Sequence, residues 1–60
     1  MILKQPAQMT ERDLEARIEF HESTARMFAE HGYPTRGAEF QELTEPYRTE
    51  LEKRRKYGAA

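Results

Sequence analysis

The sequence predicts an all-α protein, an antiparallel helical hairpin that assembles into a helical bundle. Three observations carry this. The chain is poor in strand formers: there is no Val and no Trp, and Ile2 and Ile18 are the only β-branched apolar residues. Apolar residues recur at steps of three and four from Leu14 onward. A Gly-Tyr-Pro segment at 32–34 then cuts that pattern in two.

Residues 1–9 contain Pro6 and no helical period, so they read as a flexible N-terminal arm. The helical hairpin is expected over residues 10–58. Thr10 opens the first helix, because its hydroxyl can accept from first-turn amides. Glu11 and Asp13 sit where the helix dipole favours anions. Leu14, Ile18, His21, Ala25 and Phe28 follow at steps of four, three, four and three, a heptad seam. Phe20, Thr24, Met27 and His31 form a second row beside it. Two adjacent rows make an apolar arc wider than one neighbour covers. Asp13 with Arg17 and Glu22 with Arg26 are spaced as favourable i,i+4 pairs.

The first helix is expected to run from Glu11 to about His31. Gly32 suits its C-terminal turn, and Pro34 blocks continuation. So short a turn sends the next helix back alongside the first. Thr35 reads as its N-cap, with Phe40, Leu43, Tyr47, Leu51 and Tyr57 as its apolar line. Pro46 interrupts that line. Either the helix kinks there, or Thr44 caps a fresh helix with Pro46 in its first turn, where Pro is tolerated. The second outcome is the expectation. Residues 59–60 read as a frayed end.

Charge is unevenly spread. Residues 11–46 hold nine acids and four bases, a net of −5; residues 47–60 hold five bases and two acids, a net of +3. With Lys4 the whole chain comes to −1. An antiparallel hairpin would carry the Lys53–Lys56 run back toward the acidic start of the first helix. The same cations would also complement the last-turn dipole.

No motif names a reaction. With no Cys there is no disulfide, thiolate metal site or Cys nucleophile. Ser23 and the threonines have no His beside them in a strand-to-helix turn. Gly32, Gly37 and Gly58 are too scattered for a phosphate loop. Glu19 lies two residues before His21, where a bundle iron motif needs three. We therefore expect no enzyme activity, cofactor, metal or small-molecule substrate. No apolar run approaches the ~18 residues of a membrane span, and the N-terminus does not read as a signal peptide. A cytoplasmic protein is expected.

Domains of about sixty residues bury only ~60% of their unfolded surface, and without disulfide or metal they lean on self-association or a larger partner. The expected function is thus a self-associating helical module, a regulator, adaptor or inhibitor of a larger protein. Its partner row would be Phe20, Met27, Phe28, Phe40 and Tyr47. Phe20 and Met27 have a competing role as filling for the hairpin's own core against Phe40 or Tyr47. The alternative function is a dimeric nucleic-acid-binding regulator using Arg48, Lys53, Arg54, Arg55 and Lys56.

Overall fold

The structure, a computed structural model, describes residues 4–58. Two helices of equal length, α1 (Glu11–Glu30) and α2 (Pro34–Lys53), pack against each other as a hairpin. A 3-10 turn at Pro6–Gln8 precedes them, and a π turn at Arg54–Gly58 follows.

Each boundary has a local cause. Thr10 caps α1 by accepting the Asp13 amide on Oγ1 at 3.0 Å. At the other end Gly32 takes φ 88°, a conformation open to glycine. The Tyr33 amide then reaches back to the Phe28 carbonyl at 2.7 Å, and the Gly32 amide to the Ala29 carbonyl at 3.3 Å. This is a Schellman motif, completed by the edge-on contact of the Tyr33 and Phe28 rings at 6.2 Å. The next helix begins earlier than Thr35 suggests. Pro34 holds the first helical position with its φ already set, Tyr33 is the cap residue, and Thr35 lies inside the first turn.

Pro46 does not split α2. The helix runs through it from Pro34 to Lys53. Thr44 caps nothing; its hydroxyl donates to the Phe40 carbonyl at 2.6 Å, one turn back. Packing on both sides of the proline holds the helical path, although Pro46 has no N–H for the Glu42 carbonyl and its ring crowds that group.

The α1 seam stands as expected: Leu14, His21 and Ala25 are buried, Ile18 and Phe28 half-buried. The α2 seam is a different row. Gly37, Thr44 and Leu51 are buried, with Phe40 and Tyr47 half-buried between them. Leu43, expected in the core, is 56% exposed, and Tyr57 stands out in solvent. Near the turn the helices approach closely. A Cβ on Gly37 would come within 2.8 Å of the Ala25 carbonyl oxygen, so only glycine fits there.

The expected arm is folded over its described part. The Gln5 amide donates to Oε1 of Gln8, and the Gln8 amide returns a bond to the Gln5 carbonyl. Met9 is buried with Leu14 and Leu51, and Ile18 and Tyr47 pack on this cluster. Arg54 clamps the turn by donating to the carbonyls of Pro6 and Ala7. Residues 1–3 of the expected arm and the expected frayed end at 59–60 lie outside the described residues.

Candidate interaction surface

The two helices define two flanks on either side of their seam. One flank is charged and internally paired. Arg48 on α2 reaches across to Glu22 on α1 at 2.6 Å while also holding Glu45 and Gln41. The Glu22 hydrogen bond, opposed by burial, is the main reason the guanidinium pKa is raised further. At the open end Arg55 meets Glu15 at 3.0 Å and Glu11 at 3.6 Å. The basic tail therefore does return to the acidic start of α1. The expected i,i+4 partners separate: Glu22 goes to Arg48, and Arg17 lies over the Tyr47 ring, 5.8 Å from its centroid.

The other flank is apolar. Phe20 is 62% exposed and Met27 49% exposed. They stand out from the hairpin's core, against the expectation that they could fill it, because Phe40 and Tyr47 already occupy the space around His21. Leu43, one turn before Tyr47, adds its side chain to this flank. An open groove of ≈ 640 Å³ runs beside Phe20, bounded by Lys4, Met9, Asp13, Ala16, Arg17 and Tyr47.

Of the five residues in the expected partner row, three converge on the seam. Phe28 stacks on Phe40 with centroids 5.6 Å apart, and His21 meets the edges of Phe40 and Tyr47 at 5.8 and 5.6 Å. These rings support the surface from behind. Phe20 lies against His21 at 5.8 Å and, with Met27, forms the surface itself. Leu43 was missed as a surface residue. Its signal was its phase: it falls outside the strict 3-4 row of Gly37, Phe40, Thr44, Tyr47 and Leu51.

The five cations of the nucleic-acid reading do not form one free patch. Arg48, Arg54 and Arg55 are engaged by carboxylates or backbone carbonyls. Lys56 sits 5.5 Å from the Tyr57 ring centroid, and Lys53 has no ion pair among the described residues.

Among the described residues His21 is the buried ionisable group of the seam. It is 8% exposed, and its Nδ1 is buried without a hydrogen-bond partner among the described residues. Burial first, and the nearby Arg17 charge second, hold its pKa below the ordinary histidine value. Among the described residues no three His, Asp or Glu side chains are grouped to hold a metal ion. No helix among them is long and apolar enough to cross a membrane. Comparison with protein-family models, curated proteins and solved structures finds no match for this chain.

Proposed function

We propose that this chain is a non-enzymatic helical interaction module that self-associates and acts in the cytoplasm as a regulator, adaptor or inhibitor of a larger protein. The observation that carries the reading is the asymmetry of the two flanks. One is closed by ion pairs, while the other leaves Phe20, Met27 and Leu43 in solvent on a single layer of helices. Clustered large apolar side chains on so small a surface mark a contact site. Phe28, Phe40 and Tyr47 give that site a rigid aromatic backing.

Sedimentation equilibrium at micromolar concentration tests it. The expected mass is at least twice the 7.1 kDa of one chain. A monodisperse single chain in that range overturns self-association. The nucleic-acid alternative is the weaker reading, since three of its five cations would have to leave internal partners. Phosphate binding would also fall steeply with salt, whereas an apolar helix contact would not.

A further inference from the structure

Resting on that reading of self-association, we propose that the apolar flank is covered by a second copy of this chain, with α1 lying antiparallel on α1 of the other copy. The exposed flank of α1 is itself a complete heptad row: Asp13, Arg17, Phe20, Thr24, Met27 and His31, at steps of four, three, four, three and four. The row is symmetric about Glu22. Turning one copy end over end therefore sets Asp13 against His31, Arg17 against Met27, and Phe20 against Thr24, each pair twice. A surface that meets itself in this way is what a two-fold interface requires.

The pairs are complementary in chemistry as well as position. The ring of Phe20 faces the small side chain of Thr24, whose hydroxyl is already committed to the Phe20 carbonyl at 2.8 Å. Met27, unbranched and adaptable, falls on the aliphatic stem of Arg17, beside the ≈ 640 Å³ groove bounded by Asp13, Ala16 and Tyr47. At each end His31 meets the Asp13 carboxylate. Its Nδ1 already donates to the Met27 carbonyl at 2.8 Å, so Nε2 donates to that carboxylate only when the ring carries its second proton. The outer edge of the row carries Ala16 and Ser23, small enough to let two helices approach.

The second helix makes no such match with itself. Its corresponding row, Arg36, Phe40, Leu43, Tyr47 and Glu50, continued by Arg54 in the π turn, is also symmetric; it would set Leu43 against Tyr47, but also Arg36 against Arg54 and Phe40 against Glu50. Of these last two pairs, one repels and the other places a carboxylate on an aromatic ring. Charge and shape together select α1 as the self-pairing helix.

Because the chain has no cysteine, engineered thiols read the register directly. Chains carrying Asp13→Cys are mixed with chains carrying His31→Cys in a thiol–disulfide buffer. Facing core positions come within disulfide reach, about 7 Å or less between Cα atoms. The 13–31 heterodisulfide is expected in several-fold excess over either homodisulfide. Phe20→Ala is expected to weaken association about tenfold or more while leaving the helical circular dichroism unchanged. Prevailing 13–13 and 31–31 disulfides would show a parallel pair and overturn the proposal. So would a dimeric mass with no cross-link, which would place the contact on another helix face, or association that Phe20→Ala leaves untouched. Those three results leave self-association standing; a monomeric mass removes it.

Discussion

At the scale of single residues, His21 has the most exposed chemistry to predict, because its surroundings favour only one of its protonation states. Phe20 touches it from its own helix, and Phe40 and Tyr47 close over it from α2. Among the described residues the charged group acting on it is Arg17, one turn earlier on α1. Both burial and that cation oppose protonation, so the folded chain binds the proton less readily than the unfolded one. Stability is then present above the unfolded pKa of about 6.5 and is lost as pH falls through and below it. The loss is read as a lower melting temperature at pH 5.5 than at pH 7.5. Thermal melts at the two pH values check it: His21→Gln should show a smaller pH shift than the native chain, and equal shifts would clear His21 of the effect. The position of His21 in the seam is legible from the Leu14–Phe28 spacing. Its unpartnered Nδ1 is not, because that depends on apolar rings brought in by the other helix.

At the scale of elements, the decisive case is Pro46. Its type argued for a break, and α2 nevertheless continues through it. Local preference lost to tertiary packing: Tyr47 and Leu51 sit on the same seam as Phe40 and Thr44, and breaking the helix would swing them off α1. The cost is still stored there, in the missing amide and the crowded Glu42 carbonyl. An interior Pro is about 3 kcal/mol worse than Ala in a helix, and up to ~1 kcal/mol of this is returned by the stiffer unfolded chain. Pro46 is exposed, so replacing it disturbs no core contact. Pro46→Ala is therefore expected to raise stability by about 1–2 kcal/mol, read as a higher urea midpoint. No change or a loss would mean that the proline occupies a helix's first turn. The same comparison explains the mistaken α2 seam. Apolar type pointed to Leu43, while burial follows phase and selects Gly37 and Thr44. Glycine earns its place by the 2.8 Å approach to Ala25, a contact no composition or period announces. The turn, by contrast, was readable, because Gly32 and Pro34 have few other uses in that order. Likewise Met9 became core through Arg54, which grips the carbonyls of residues 6 and 7 from far along the chain.

At the scale of the whole molecule, thickness sets the problem. The described residues extend 43 × 29 × 15 Å, and the shortest dimension barely exceeds the ~10–12 Å diameter of one helix. A single layer can bury a seam but not a second face. Among the described residues only Leu14 and Thr44 are fully buried large side chains, and one of them is polar. Surface ion pairs such as Arg55–Glu15 do little to fill the gap, being worth roughly 0–1 kcal/mol each. Proteins of sixty residues typically hold about 3–9 kcal/mol in total, so an added interface over Phe20 and Met27 would be a large share of the stability. If the proposed interface forms, association adds to the stability of the folded hairpin, and mass action appears in the melt. Raising the chain concentration tenfold should add up to about 1.4 kcal/mol per dimer and move the midpoint upward by a few degrees. Phe20→Ala, which removes contact area on the exposed flank, should flatten that dependence and hold the midpoint at high concentration near its dilute value. Melts that superimpose across a hundredfold range of concentration would mean that the seam, the Arg54 clamp and the ion-paired flank suffice for a single hairpin. Phe20, Met27 and Leu43 would then need a different explanation from the one their exposure invites.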